Sequence, residues 1–463
     1  MKPKTVKRIS TFICSVTVLI LLAGCALSIT SKNEKPTATP LALPNRVEDP
    51  ELVPVEFKVE LKRSYSPETV IAIEVLDDLS GLDRNLSRYE LTKVEENLYA
   101  GTLLLPRGGI IKYRYASTFP ISQPEAAADG TTVIYRTITA GEDEHISDII
   151  AGWPELPYEG AVGKLTGIIS DQITNQALPD ILVTVAGYQT FTDMTGRFDF
   201  VNIPAGVHQV SAISLDGAYL PYQQEANILA DLSTPAVIKM VPLPEVTVTF
   251  KLTPPQEAAG APIRLAGSLY QLGNVYADLP NGISCLAARM PLLSRSEDGS
   301  YTLQVKLHAG DDLVYRYTLG DGFWNAERDE SGKLVTRRFI VPDHDVTVED
   351  KVLTWRVAGA EPITIKVSVP AETPKEDTIS LQLSQGTWQQ PIPLWPLGND
   401  QWMILLFADP SVIQNLQYRI CRNDQCDIAY DESSFASPIS LANLSSNTSS
   451  HMVTSWHAWH APG

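Results

Sequence analysis

Tyr301-Thr302-Leu303-Gln304-Val305-Lys306-Leu307 alternates strictly: Tyr301, Leu303, Val305 and Leu307 face one way, and Thr302, Gln304 and Lys306 the other. A period of two places one apolar face on a core and one polar face in water, the signature of a half-buried strand. Val248, Phe250 and Leu252 alternate in the same manner with Thr247, Thr249 and Lys251. Working outward in both directions, short runs of this kind dominate, with Pro and Gly scattered between them and no long amphipathic helical pattern. The fold class is all-β.

The same stretch is part of a repeat. Three segments open with an alternating strand, at residues 55–61, 246–252 and 363–369. Each later carries a Tyr-Arg pair: Tyr113-Arg114-Tyr115, Tyr315-Arg316-Tyr317 and Tyr418-Arg419-Ile420. Each closes on a tryptophan, Trp153, Trp355 or Trp456, lying 40, 40 and 38 residues after the first tyrosine of its pair. These spacings define three copies of one β-sandwich of immunoglobulin-like size. The organisation is therefore four domains on an N-terminal tether: 51–157, 160–243, 244–357 and 360–457, drawn as a string of sandwiches.

The unit at 160–243 differs from the copies. It contains Leu165-Thr166-Gly167-Ile168-Ile169-Ser170-Asp171, then Thr192-Asp193-Met194-Thr195-Gly196-Arg197-Phe198-Asp199-Phe200 and Ile203-Pro204-Ala205-Gly206. Its Thr-Gly and Ala-Gly pairs are tight-turn chemistry, where glycine accepts positive φ without strain. This pattern resembles the carboxypeptidase regulatory-like domain, a transthyretin-like sandwich, which implies a non-catalytic spacer.

The N-terminus has a cationic head (Lys2, Lys4, Lys7, Arg8), an apolar stretch over 9–22, and Leu22-Ala23-Gly24-Cys25. That is the layout of a secretion signal, shorter than the roughly 20 residues of a spanning helix. The set resembles the bacterial lipobox. The resemblance implies a signal peptide over 1–24, lipidation of Cys25 and extracytoplasmic attachment by acyl groups, and Ala26 in place of aspartate implies the outer membrane where there are two. The alternative is an uncleaved membrane anchor. Residues 25–50, rich in Ser, Thr and Pro, read as a disordered tether. Removing the signal peptide takes the formal charge from −18 to −22. Such a body repels phosphate, which argues against nucleic acid as a partner.

Within the 244–357 copy, Ile263-Arg264-Leu265-Ala266-Gly267 leads to Gln271-Leu272-Gly273-Asn274, then to Tyr315-Arg316-Tyr317, Phe323-Trp324-Asn325-Ala326-Glu327 and Arg337-Arg338. In order and spacing this resembles the starch-binding modules of carbohydrate-binding-module family 20. The resemblance implies an α-glucan surface with Trp324, Asn325 and Glu327 as platform and Arg316 as a donor to hydroxyls. Where the family carries its first tryptophan this chain has Val275; either half of the platform is missing, or Tyr270 or Tyr276 stands in. The plainer reading is that Trp324 and Glu327 fix the loop, with Arg338 as the partner of Glu327.

The 51–157 copy offers only Phe119 after its Tyr-Arg-Tyr and reads as structural. In the 360–457 copy, Trp402 falls on an inward position with Ile404 and Leu406, while Trp388 and Trp395 lie in turn-like sequence open to exposure. In an oxidising exterior Cys421 and Cys426 are spaced for a disulfide, and Cys285 is left as a buried small side chain. His451, His457 and His460 cluster near Trp456 and Trp459 without the fixed geometry a metal wants. Asp343-His344-Asp345 reads as a polar turn, and Asp424, Asp427, Asp431 and Glu432 lack EF-hand spacing. There is no nucleophile elbow, zincin motif or phosphate-binding glycine loop. The sequence thus predicts a non-catalytic, cofactor-free, surface-anchored polysaccharide-binding lipoprotein. The alternatives are an adhesion or scaffold protein, and an accessory subunit of a glycoside-processing system.

Overall fold

Phe250, Val248 and Leu252 sit on the core side of the strand Glu245–Thr253 with no exposed surface. Each such side chain contributes roughly 1.5–3 kcal/mol on leaving water. That strand pairs antiparallel with Tyr301–His308 on one side and parallel with Val346–Lys351 on the other. The computed structural model describes residues 51–62, 68–77, 79–80, 85–142, 144–154, 158–256, 260–274, 285–357, 361–407, 410–413, 415–435, 439–441 and 448–457. The segments expected as signal peptide and tether, with Cys25, and also Tyr276, Trp459 and His460, lie outside the described residues.

Four pairs of sheets fall at 52–150, 162–240, 245–351 and 363–452, here called the first to fourth sandwiches. The opening strand of each has the same neighbours as Glu245–Thr253. Leu52–Leu61 lies antiparallel to Leu98–Pro106 and parallel to Glu144–Ile150. Val162–Asp171 lies between Arg197–Pro204 and Ser233–Met240, and Ile363–Ser368 between Gln401–Leu406 and Thr448–Met452. The closing strand therefore returns beside the first one in parallel, and the facing sheet covers their apolar side.

The closing tryptophans plug the cores: Trp355 has no exposed surface, Trp153 has 2 % and Trp456 has 9 %. In the second sandwich Gly196 takes φ 72°, and a Cβ there would meet the Ile169 carbonyl oxygen at 2.4 Å. The Asp193 carboxylate closes that turn by accepting the Thr195 and Arg197 amides at 2.8 and 2.9 Å.

The sandwiches interlock, an arrangement the sequence left open. The third one touches all the others. The Tyr270 amide donates to the Leu215 carbonyl of the second sandwich at 2.9 Å, and Gln271 Nε2 to the Asp216 carbonyl at 3.0 Å. The Ile110 amide of the first sandwich donates to Asp312 Oδ2 of the third at 3.1 Å. First and second sandwiches meet through Ser211 Oγ on the Thr137 carbonyl (2.8 Å) and Gln223 Nε2 on Glu144 (2.7 Å). An alternating strand says which face is apolar but not whether its polar face meets water or another polar face.

Candidate functional site

Trp324, expected on a sugar-facing platform, is 3 % exposed and packs among Ile363, Leu381 and Ile404 in the core of the fourth sandwich. Its Nε1–H donates to Gln389 Oε1 at 2.8 Å. The loop that carries it is wound on Asp321, whose Oδ1 accepts the amides of Phe323 (3.0 Å), Trp324 (2.6 Å) and Asn325 (3.2 Å). Asn325 is fully buried, its carbonyl accepting from the Leu319 amide at 3.0 Å.

Glu327 is 1 % exposed and belongs to a buried network. It accepts from the Tyr317 amide at 3.0 Å and from Arg337 at 3.1 and 2.8 Å. Arg337 also donates to Asp350 (3.1 Å), which accepts both the Tyr315 and Tyr317 hydroxyls at 2.9 Å. Burial pushes the Glu327 carboxyl above its ordinary range, against the pull of Arg337. The first sandwich builds the same network from Glu125, Arg136, Asp148, Tyr113 and Tyr115. The partner of Glu327 is thus Arg337 rather than Arg338, which pairs with Asp312 instead.

Arg316, expected to donate to sugar hydroxyls, has no exposed surface and clamps the first sandwich to the third. It donates to Asp77 Oδ2 (2.9 Å) and Ser80 Oγ (2.5 Å) across the interface, and to the Val335 and Gly322 carbonyls (2.9 Å each) within its own sandwich. Burial works to raise the Asp77 carboxyl, but Arg316 and Asn85 outweigh it and hold it below its ordinary value. Trp324, Asn325, Glu327 and Arg316 therefore form no outward-facing platform.

The fourth sandwich departs from this scheme. Asp431 stands where the others have glutamate, its amide bonded to the Ile420 carbonyl (2.9 Å) as Glu327 bonds Tyr317. His451 stands five residues before the closing tryptophan, in the place of Asp148 and Asp350, and meets Asp431 at 2.8 Å. That histidine is thus spent in the core, and His457 stacks on Tyr430 with ring centres 4.7 Å apart. Among the described residues no group of three or more His, Cys, Asp or Glu could hold a metal. Trp395, expected in an open turn, is 8 % exposed and joins the core of the third sandwich, donating to the Leu319 carbonyl at 3.2 Å. Trp388 is half-buried with the Arg419 guanidinium 4.4 Å from its ring centre, and Trp402 is half-buried at the rim of the fourth core. Cys421 and Cys426 are joined as a disulfide. Cys285 is buried beside Leu79, Ala266 and Met290.

One sequence candidate does face a cavity. Tyr270 heads the short helix Tyr270–Leu272, which ends on Gly273 at φ 99°, and its side chain is 45 % exposed. It lines a cleft of about 690 Å³ between the second and third sandwiches, shared with Pro179, Asp180, Phe191, Asp216 and Tyr219. Phe191 is 40 % exposed, Asp180 and Asp216 are exposed residues, and Asp216 Oδ1 accepts the Ala218 amide at 3.1 Å. Tyr219 donates its hydroxyl to Asp171 at 3.1 Å. The Arg289 guanidinium lies 5.0 Å from the Tyr270 ring centre. Sequence reading missed Phe191 and Asp180 because they come from a different sandwich.

No protein-family model matches the chain, and no curated protein matches it. Among solved structures, a streptococcal ancillary pilin is similar at 14% identity and a TM-score of 0.23, over 65% of this chain and 99% of that one. The Bacillus anthracis TIE protein is similar at 11% identity and a TM-score of 0.17, over 78% and 70%. The Hypocrea jecorina glycoside hydrolase family 15 glucoamylase is similar at 21% identity and a TM-score of 0.18, over 26% and 20%. None of these likenesses bears on what the chain does. Among the described residues no helix is long and apolar enough to cross a membrane.

Proposed function

We propose that the chain is a non-catalytic scaffold displayed outside the cytoplasm, an interlocked body of β-sandwiches held to a membrane through Cys25. The observation that carries this reading is the use of Trp324, Trp395 and Arg316. Each is an aromatic or cationic side chain of the kind a binding face would expose, and each is spent on fastening one sandwich to another. Buried interfaces of this sort make a stiff spacer, since relative domain motion is the default unless an interface is large and apolar. The lipid attachment is supported by the order of cations, apolar run and Leu22-Ala23-Gly24-Cys25. Several buried acyl chains would contribute about 0.8 kcal/mol per methylene.

Metabolic labelling with a palmitate analogue tests the reading in a bacterial host, combined with protease shaving of intact or outer-permeabilised cells. The expected result is label on the wild type, none on Cys25→Ala, and cleavage of the wild type without lysis. An unlabelled chain recovered with the cytoplasm contradicts it. A second reading, capture of an α-glucan or related polysaccharide, is favoured by one observation, the half-exposed Tyr270 in its cleft.

A further inference from the structure

We propose that the cleft between the second and third sandwiches is a binding site for a neutral oligosaccharide, with Tyr270 and Phe191 as stacking surfaces and Asp180 and Asp216 as hydroxyl acceptors. Tyr270 and Phe191 are 45 % and 40 % exposed, and both rings line this one cavity. Exposed aromatic surface forgoes part of the stabilisation that burial would contribute, so two such rings facing one cleft ask for a covering surface. The cleft, at about 690 Å³, falls within the range of small-ligand sites, roughly 300–1,000 Å³, with room for on the order of two or three sugar rings.

Charge decides the chemistry of the occupant. Asp180 and Asp216 disfavour phosphate, sulfate or uronic acid, and the Arg289 guanidinium is already placed over the Tyr270 ring. A cation is disfavoured as well. The Arg289 guanidinium already lies 5.0 Å from the Tyr270 ring centre, so a second cation on that ring would face an existing one. A neutral polyol meets neither objection. Its C–H faces cover the rings, and its hydroxyls donate to the two carboxylates, which accept charge-assisted hydrogen bonds.

The site belongs to the assembled pair of sandwiches. Phe191 and Asp180 come from the second, Tyr270 from the third, and the bonds from Tyr270 and Gln271 to the Leu215 and Asp216 carbonyls hold the two walls in register. The scaffold reading does not depend on this site: loss of sugar binding leaves lipid labelling and surface display unchanged.

Isothermal titration of the detergent-solubilised full chain with maltotriose, cellotriose and xylotriose tests the proposal, with trilysine and glucuronic acid as charged controls. The expected result is saturable binding of at least one neutral trisaccharide and of neither control. Tyr270→Ala and Phe191→Ala should each weaken it at least tenfold, and Asp216→Asn severalfold. Trp388→Ala, far from the cleft in sequence and sandwich, should leave it unchanged. Circular dichroism melting of each variant separates loss of the site from loss of the fold. Tyr270→Phe, which keeps the ring, should retain binding. No saturable binding of any neutral trisaccharide overturns the proposal, as does binding of trilysine in their place. So does sugar binding that Tyr270→Ala and Phe191→Ala both leave intact.

Discussion

Trp324 and Trp395 are exchanged between neighbours: the first, from the third sandwich, completes the core of the fourth, and the second, from the fourth, completes the core of the third. Each indole N–H finds an acceptor in the sandwich it enters, Gln389 for Trp324 and the Leu319 carbonyl for Trp395. A large side chain with its polar atom satisfied fills space that nothing else in the host sandwich occupies.

Trp324→Ala and Trp395→Ala should therefore each destabilise the body by about 3–5 kcal/mol, the cost of truncating a large buried side chain. Because both line one interface, the double variant should depart from additivity by about 0.5 kcal/mol or more. Urea denaturation followed by far-ultraviolet circular dichroism checks this. Losses of a few tenths for both single variants would place the rings outside any core.

Removing Arg316 leaves Asp77 buried without its charge partner, so Arg316→Ala should cost about 3–5 kcal/mol. Arg316→Met combined with Asp77→Leu, which removes both charges, should recover most of that loss. Thermal melts of the three proteins at one pH decide the matter. A double variant no better than Arg316→Ala would show that the guanidinium acts through its own sandwich's carbonyls rather than across the interface.

The network of Tyr315, Tyr317, Arg337, Glu327 and Asp350 gives a graded series. Tyr315→Phe loses one hydrogen bond, about 1 kcal/mol, whereas Asp350→Ala strands two hydroxyls and takes one of its carboxylate partners from Arg337, which keeps Glu327, and should cost about 3 kcal/mol or more. Asp148→Ala in the first sandwich should behave like Asp350→Ala, since the same atoms converge there. Chemical denaturation of the three variants checks the ranking, and equal losses for Tyr315→Phe and Asp350→Ala would contradict it.

Two buried groups oppose each other in pH. His208 is fully buried, its Nε2–H donating to the Pro204 carbonyl at 2.7 Å, and burial lowers its pKa to about 4. Between that value and the ordinary histidine value near 6.5, the unfolded chain binds the extra proton, so stability falls as pH drops through this window. Asp311 is pushed up to about 8 by burial and by the nearby charges of Asp216 and Asp312. From the ordinary carboxyl value near 4 up to about 8 the folded chain holds the extra proton, so this contribution falls as pH rises. Melting temperature against pH should thus flatten on the acid side in His208→Gln and on the alkaline side in Asp311→Asn. An Asp311→Asn profile parallel to wild type from pH 5 to 8 would remove Asp311 from this role.

The strands, the repeat and the closing tryptophans were legible because they depend on periods within one chain segment. Val248, Phe250 and Leu252 must share a face, and tryptophans spaced alike from Tyr113 and Tyr315 must end equivalent strands. The interfaces were not legible. Arg316 alternates with two inward tyrosines, so its outward direction follows from the pattern, but outward here means towards Asp77 and not towards water. Trp324 sits in a Gly-Asp-Gly loop that looks identical in sequence whether its indole meets a sugar or the fourth sandwich. Trp395, between prolines 393 and 396, carries the composition of an open turn and the burial of a core residue. Of the sugar-site residues only Tyr270 faces a cavity among the described ones, and its companions come from a unit with a different sequence pattern.

Small-angle X-ray scattering of the chain from residue 45 onward tests the interlocked body most directly. Sandwiches locked through Arg316, Trp324 and Trp395 should give a distance distribution with one main maximum. The radius of gyration should be near that of a compact chain of this length, about 22–27 Å. A distribution with several maxima and a radius above about 35 Å, the behaviour of separate domains on linkers, would contradict the account.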